Sequence, residues 1–207
     1  MISVIDHGMG NVGSIINMLD HLEILARVTR DAKEIKESTG IILPGVGAFD
    51  TGMRHLSELG LVEPISYAVL EQKIPIMGIC LGMQLLANGS EEGSLPGLGF
   101  INAYVRRIPE NPEIKIPNIG WHQIFQSHPS RLFSDQECSS RFYFVHSYFV
   151  ECVKQQDCTA IIRYGSPICC SIERENIFGV QFHPEKSHRF GMEIFNRFNT
   201  ITRKLDQ

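Results

Sequence analysis

Short apolar runs alternate with helical stripes of apolar residues through the first part of the chain. Residues 2–5, 26–29, 41–43 and 74–77 have the length and composition of short strands. After the first of them, Ile15, Ile16, Leu19 and Leu22 recur at helical spacing, with Asn11 or Ser14 as the predicted cap. Strands and helices that alternate in this way predict parallel βαβ units with helices on both faces of a sheet.

The pattern changes beyond the loop at residues 90–99, where strands are predicted to follow one another without helices between them. The predicted strands are residues 100–108, 119–125, 142–151, 158–164, 168–173 and 177–182. Such a succession predicts antiparallel strands added to a mainly parallel sheet. A last helix is predicted over residues 188–204, which place five apolar side chains at helical spacing. No repeat or linker is visible, so we expect one α/β domain over residues 1–207.

Composition and charge exclude several classes of protein. The chain has 207 residues, of which 43% are hydrophobic and 20% charged, and this favours a packed core over disorder. No apolar stretch approaches the roughly 20 residues of a membrane helix, and no secretion signal is visible, so a cytoplasmic protein is expected. With a net charge of -4 and no basic cluster longer than Arg106-Arg107, a nucleic-acid partner is not expected.

The cysteines indicate neither a metal site nor a disulfide framework. They stand at positions 80, 138, 152, 158, 169 and 170, without a C-x-x-C pair or zinc-like spacing. In a chain without a visible signal peptide, reduced thiols are the expectation. Cys169 and Cys170 are adjacent in a predicted strand and are therefore expected to face opposite sides of the sheet.

Cys80 lies where a predicted strand turns into a predicted helix. The segment Gly78-Ile79-Cys80-Leu81-Gly82 follows the apolar run at 74–77, and good helix formers continue over residues 81–87. A residue with glycine two positions away on each side is typical of the nucleophile elbow, here with sulfur in place of oxygen. The alternative is an ordinary buried cysteine of the core.

A second glycine-containing loop follows the third predicted strand. In Pro44-Gly45-Val46-Gly47, the glycines allow backbone N–H groups to turn inward, as an oxyanion hole requires. Taken alone, the segment is more typical of a plain turn. Parallel sheets bind ligands beyond the carboxyl ends of their strands, and both this loop and Cys80 are predicted to lie there.

His183 and Glu185 complete a possible catalytic group near the end of the last predicted strand. Pro184 between them is expected to hold the segment extended, so that both side chains point the same way. Nucleophile, base and orienting carboxylate would then follow in the order Cys80, His183, Glu185. A surface turn is the alternative for the His-Pro-Glu segment alone.

These segments resemble the class I glutamine amidotransferases. The resemblance rests on Gly-Ile-Cys-Leu-Gly-Met-Gln-Leu-Leu at 78–86 and Gly-Val-Gln-Phe-His-Pro-Glu-Lys-Ser at 179–187. Residues 6–11, 44–49 and 142–148 are similar to one branch, the glutaminase subunits of imidazole glycerol phosphate synthases. This resemblance implies a flavodoxin-like fold and hydrolysis of glutamine without a cofactor. It also implies delivery of ammonia to a separate (β/α)8-barrel cyclase subunit for histidine and purine biosynthesis.

The resemblance also implies roles for individual residues. Cys80 would be the nucleophile, His183 the base and acid, and Glu185 its orienting partner. Oxyanion donors would be the N–H of Leu81 and one in Gly45-Val46-Gly47. The residues expected to contact glutamine are Gln84, His146, Ser147 and Tyr148, although His146 could equally be a packing residue. The residues expected at the partner interface are Asn11 and Trp121, although Trp121 could equally be a core aromatic.

Three positions depart from the family pattern, which usually has Tyr at His7, His at Asn118 and Asn at His122. They lie in stretches that resemble partner-facing ones, so they bear on the ammonia acceptor rather than on the triad. A similar group of paralogues supplies ammonia for amidated sugars of bacterial surface polysaccharides, again with a barrel partner. Two hypotheses of another class also stand: a non-catalytic regulatory module on the same fold, and a redox protein that uses Cys80.

Overall fold

A computed structural model describes residues 1–133 and 140–203. Its strands are β1 Ile2–Ile5, β2 Ala26–Thr29, β3 Gly40–Gly45, β4 Ile76–Cys80, β5 Ala103–Arg107, β6 Asn118–Gln123, β7 Phe125–Gln126, β8 Arg141–His146, β9 Tyr148–Cys152, β10 Cys158–Tyr164, β11 Ser166–Arg174 and β12 Ile177–Val180. Its helices are α1 Val12–His21, α2 Ala32–Lys36, α3 Phe49–Glu58, α4 Val62–Ser66, α5 Leu81–Leu85 and α6 His188–Arg203. A π-helical segment, Tyr67–Glu71, continues α4, and 3-10 turns occupy Gln155–Asp157 and Pro184–Lys186.

The described strands confirm the predicted α/β fold. Eight of them form one sheet in the order β2-β1-β3-β4-β12-β11-β10-β7, and the first five are parallel to one another. β11, β10 and β7 extend that sheet in antiparallel fashion, as predicted. The remaining four strands differ from the prediction, because β5–β9 and β6–β8 pair as two separate antiparallel ribbons.

Two hydrophobic cores lie on the two faces of the main sheet, because successive strand residues point to opposite sides. In β3, Ile41 and Leu43 belong to one core and Ile42 to the other. Helices α2 to α5 cover the first face, while α1 and α6 cover the second. Cys169 and Cys170 of β11 divide between the two cores in the same way, as expected.

Of the strand boundaries that differ from the sequence-based expectation, two lie at the candidate site. The fourth strand was expected at residues 74–77 but runs over Ile76–Cys80, so Cys80 is its last residue. The single strand expected at 142–151 is interrupted at Ser147. Because β8 pairs with β6 and β9 pairs with β5, the chain must change partner at that point.

Helix α6 runs from His188 to Arg203, and the end predicted at residue 204 lies outside the described residues, as does Cys138. The described cysteines are all free thiols. Within the described ranges, no helix combines the length and apolar character needed to cross a membrane.

Candidate active site

Cys80 occupies a strained turn between β4 and α5. Its φ of 54° and ψ of -111° lie outside the regions that L-residues ordinarily adopt, and its side chain is only 7% exposed. The flanking glycines are required by close packing, since a Cβ on Gly82 would lie 1.8 Å from the carbonyl oxygen of Leu43. A Cβ on Gly78 would lie 2.6 Å from the carbonyl oxygen of Gly82. Helix α5 is shorter than predicted and ends at Leu85.

His183 and Glu185 are in direct contact. His183 Nδ1 lies 2.8 Å from Glu185 Oε1, and both side chains are 2% exposed. The expected extended conformation of this segment is wrong, because Pro184–Lys186 forms a 3-10 turn in which the N–H of Lys186 donates to the carbonyl of His183. The turn, rather than extended alternation, brings the carboxylate back to the imidazole.

The electrostatic setting of His183 favours its protonated form. Burial alone would lower the pKa of this imidazole, but the neighbouring Cys80 and Glu185 outweigh burial and raise the pKa of His183 to about 10. Among the described residues, His183 Nε2 has no hydrogen-bonding partner, while Nδ1 is held by Glu185. The ring therefore offers Nε2 for proton exchange with the thiol.

The loop after β3 approaches Cys80 through its backbone. Gly45 pairs with Cys80 across β3 and β4, and a Cβ on Gly45 would lie 2.8 Å from the backbone nitrogen of Gly82. The N–H of Val46 donates to the carbonyl oxygen of Met9 at 3.3 Å. Gly47 has a φ of 103°, in the left-handed region that favours glycine. The loop is thus next to the thiol, with the Val46 donor engaged elsewhere.

A cavity of about 330 Å³ opens over Cys80 and His183. The other predicted site residues that line it are Val46, Gly47, Leu81, Gln84, His146, Ser147 and Tyr148. Three lining residues were not anticipated from the sequence, namely Glu92, Pro117 and Val145. Glu92 lies in the loop after α5 and accepts a hydrogen bond at 2.8 Å from the N–H of Phe49, the first residue of α3. The sequence around Glu92 does not predict its place at the cavity, because its loop packs against the start of α3 only in the folded chain.

Two buried glutamines contact each other beside Cys80: Gln84, which lines the cavity, and Gln181, which does not. Gln84 Nε2 donates to the carbonyl of Tyr148 at 3.1 Å and to Gln181 Oε1 at 2.9 Å. Gln181 Nε2 in turn lies 3.6 Å from Cys80 Sγ. Gln181 was not singled out by the sequence, although it stands two residues before His183 and directly follows β12.

The ring of His146 is held on both sides. Its Nδ1 lies 2.8 Å from the carbonyl of Tyr148, and Asn118 Nδ2 lies 3.0 Å from its Nε2. Because the carbonyl only accepts, Nδ1 carries the proton and Nε2 accepts from the Asn118 amide. Burial lowers the pKa of His146 to about 4, so the ring is neutral near pH 7.

Asn11 and Trp121 do not line the cavity. Asn11 follows β1 and caps α1, where its side chain accepts from the N–H of Ser14 at 3.4 Å. Trp121 is 37% exposed and stacks on His188 with ring centroids 5.4 Å apart. It is therefore not a core aromatic.

The three departures from the family pattern are not on one outward face. His7 is buried, its Nε2 lies 2.7 Å from the carbonyl oxygen of Pro44, and burial lowers its pKa. Asn118 is also buried against His146. His122 is partly buried and meets the rings of Phe144 and Tyr164 edge to face. Both side chains are thus buried within the fold, where His7 contacts the loop that begins at Pro44 and Asn118 contacts the cavity residue His146.

Comparison with known families agrees with this geometry. A model of the family described as glutamine amidotransferase class-I matches residues 3–201. The chain belongs to this family. Class I glutamine amidotransferases that resemble it over nearly full length include the imidazole glycerol phosphate synthase subunit HisH 2 of Methanococcus maripaludis. That relative is 47% identical over 198 residues, which span 96% of this chain and 98% of the relative.

Other relatives and solved structures extend the comparison. The imidazole glycerol phosphate synthase subunit HisH of Bdellovibrio bacteriovorus is 44% identical, with 97% of this chain and all of the relative covered. Among solved structures, a glutamine amidotransferase superposes with a TM-score of 0.75 at 19% identity and covers 98% of each chain. PurLQS from Thermotoga maritima gives a TM-score of 0.70 at 17% identity, with 97% of each chain covered. These structures support the class I amidotransferase fold.

Proposed function

We propose that this chain is the glutaminase subunit of an imidazole glycerol phosphate synthase. It hydrolyses glutamine to glutamate and delivers the ammonia to a synthase partner in histidine biosynthesis. The proposal rests on the arrangement of three side chains. The strained Cys80 and His183 line one cavity, and Glu185 contacts Nδ1 of the His183 imidazole. The names of its class I relatives support the pathway.

Acylation would begin with proton transfer from Cys80 to His183 Nε2. The sulfur then attacks the side-chain amide carbon of glutamine, and the carbonyl oxygen becomes an oxyanion. The N–H of Leu81, at the start of α5, and one N–H of Gly45-Val46-Gly47 would stabilise that charge. His183 returns the proton to the departing nitrogen, so that ammonia leaves and a thioester to Cys80 remains.

Deacylation would use the same residues in reverse. With ammonia gone, His183 accepts a proton from water, and the resulting hydroxide attacks the thioester carbon. Collapse of the second oxyanion releases glutamate and restores the Cys80 sulfur. Glu185 keeps the imidazole oriented through both steps and balances its positive charge.

The cavity fits an amino acid with a charged end. Glu92 lines it with a carboxylate that would attract the α-ammonium group of glutamine. Gln84 and the segment His146-Ser147-Tyr148 line the same space and would position the substrate. Gln84 Nε2 and His146 Nδ1 both contact the carbonyl of Tyr148, and these internal contacts would hold the two side chains in place for the substrate.

The partner would be a (β/α)8-barrel cyclase that receives ammonia. Asn11 and Trp121 are the residues we assign to its interface. Asn11 follows the carboxyl end of β1, and Trp121 pairs with Tyr143, whose carbonyl accepts from the N–H of His183. Direct transfer is favoured because ammonia is nucleophilic only when neutral, and in water near pH 7 most of it is protonated.

The test is reconstitution with the barrel subunit from the same organism. Purified chain, barrel and acceptor nucleotide are mixed with glutamine, and glutamate and imidazole glycerol phosphate are both measured. Equal formation of the two products is expected. Glutamate formation that accompanies an amidated sugar nucleotide with another barrel, but not imidazole glycerol phosphate with this one, would contradict the proposed pathway while retaining the glutaminase.

A further inference from the structure

Gln181 lies against the nucleophile without any opening to solvent. It is 0% exposed, and its backbone N–H donates to the carbonyl of Cys170 at 2.9 Å. It follows Val180, which pairs with Ile79 across β12 and β4, so it comes level with Cys80 on the neighbouring strand. Its Nε2 lies 3.6 Å from Cys80 Sγ, within the range of an N–H to sulfur hydrogen bond.

The neighbouring amide fixes which end of Gln181 faces the sulfur. The carbonyl of Tyr148 can only accept, so the end of Gln84 that contacts it at 3.1 Å must be the nitrogen. That nitrogen also contacts one end of the Gln181 amide at 2.9 Å, which must then be the oxygen. The NH₂ end of Gln181 is therefore directed at Cys80.

We propose that Gln181 stabilises the thiolate of Cys80 by donating a side-chain hydrogen bond to its sulfur. This role rests on Cys80 being the nucleophile of the proposed function. The protonated thiol has an acceptor in the carbonyl of Val145, 3.9 Å away, whereas the thiolate needs a donor. Gln181 supplies that donor from a buried site, where a hydrogen bond to a charged group is stronger than in water.

The test is the pH dependence of Cys80 alkylation by iodoacetamide, followed by mass spectrometry of the peptide that contains Cys80. In Gln181→Met, which keeps the shape and removes the donor, the midpoint should move upward by about one pH unit, equivalent to about a tenfold slower reaction near pH 7. Gln181→Glu should move it further, because a carboxylate then faces the thiolate. An unchanged midpoint in folded Gln181→Met would overturn the proposal.

A matched control is Asn176→Asp, another amide-to-carboxylate change in a partly buried residue. Asn176 donates to the carbonyls of Val69 and Ile74 near the amino end of β4, away from the cavity. It should lower the stability of the fold and leave the alkylation midpoint unchanged. Apart from the carboxylate that Gln181→Glu introduces, the titratable groups that face Cys80 are unchanged in these variants. They are His183, His146, Glu92 and Tyr148 in the cavity, with Glu185 behind His183.

A second measurement decides the question if Gln181→Met fails to fold. The side-chain amide resonance of Gln181 should shift in the intact chain with the same pH midpoint as Cys80 alkylation, and this shift should vanish in Cys80→Ala. A Gln181 amide chemical shift that does not change with pH around the Cys80 midpoint would contradict the hydrogen bond. Neither readout uses glutamine, so failure of the proposed function would show separately, either as absent glutamine turnover in the wild-type complex or as turnover that persists in Cys80→Ala.

Discussion

The N–H of Val46 donates to the carbonyl oxygen of Met9, 3.3 Å away. Val46 belongs to the loop expected to supply an oxyanion donor, and Met9 to the loop after β1. In this arrangement the donor is directed away from the space over Cys80. A change in one peptide orientation, which the neighbouring glycines permit, would be needed to release it.

The first prediction is therefore that the isolated chain hydrolyses glutamine slowly and that the occupied barrel partner accelerates it. A missing oxyanion donor typically costs on the order of a hundred- to a thousandfold in turnover, and acceleration in that range is expected. The structural readout is amide hydrogen exchange at Val46, which should quicken in the complex. The N–H of Gly52, bonded to Ala48 at the start of α3, provides an unchanged reference. Full activity without the partner would contradict this gating.

The second prediction concerns the nucleophile. Cys80→Ala and Cys80→Ser should abolish glutamine-dependent synthesis by the complex, because the thioester requires sulfur, and should leave ammonia-dependent synthesis intact. Both rates are measured on the same preparations. Cys152→Ala, which removes a free thiol outside the cavity, should retain both activities. Substantial glutamine turnover in Cys80→Ala would remove Cys80 from the mechanism.

The third prediction separates the base from its orienting partner. His183→Ala should reduce glutaminase kcat by about a thousandfold or more, because proton transfer is lost. Glu185→Gln should be milder, at about ten- to a hundredfold, since the amide oxygen can still accept from Nδ1 and only the charge is lost. Steady-state kinetics of the complex give both values. Equal losses in the two variants would show that Glu185 does more than orient and balance His183.

The fourth prediction is a dependence of stability on pH that originates in His146. Its pKa is about 4 in the folded chain and 6.5 when unfolded, so the unfolded state binds more protons between these values. Stability should be complete above pH 6.5 and fall as the pH approaches 4, by about 3 kcal/mol for this group alone. His7 and His122 act in the same direction, because burial lowers their pKa values too.

The contribution of His146 is isolated by comparing urea unfolding of the wild type with His146→Gln at pH 4.5 and pH 7. The variant should lose much less stability on acidification than the wild type. His21→Gln, a change at an exposed histidine, should follow the wild type. Parallel pH profiles in the wild type and His146→Gln would contradict the assignment. His183, whose pKa is raised, contributes in the opposite direction, but the wild type and His146→Gln share that contribution, so it cancels in the comparison.

The fifth prediction is that Trp121→Ala weakens the complex or uncouples glutamine hydrolysis from synthesis without unfolding the domain. Trp121 is partly exposed and stacked on His188, five residues beyond His183, so a partner that covers this ring would lie near the site. Glutamate and final product are counted per turnover with an enzymatic ammonia trap in solution. Leu25→Ala removes another exposed apolar side chain at the amino end of β2 and should change nothing. Affinity for the partner is measured on the same variant, and unchanged affinity together with unchanged one-to-one coupling in folded Trp121→Ala would show that Trp121 is not at the transfer step.

Local chemistry was sufficient to predict the alternation of strands and helices and to single out Cys80, His183 and Glu185, which the fold brings together. Glycine two residues from Cys80 on each side, and Glu185 two residues from His183, are short-range features that a sequence displays directly. The facing directions of Cys169 and Cys170 followed from the alternation of side chains along a strand. The backbone conformation between His183 and Glu185 was predicted wrongly, since a 3-10 turn replaces the extended segment expected at Pro184.

Tertiary structure alone decided the features that depend on residues distant in the chain. Gln181 meets Cys80 because β12 pairs with β4, and Glu92 reaches the cavity because its loop packs on the start of α3. The Val46 donor is occupied because the loop after β1 passes beside it. Each of these contacts joins two segments that are far apart in the sequence, and the residue pattern of one segment does not predict that it will contact the other. Their proximity is fixed only when the sheet assembles and both faces are buried.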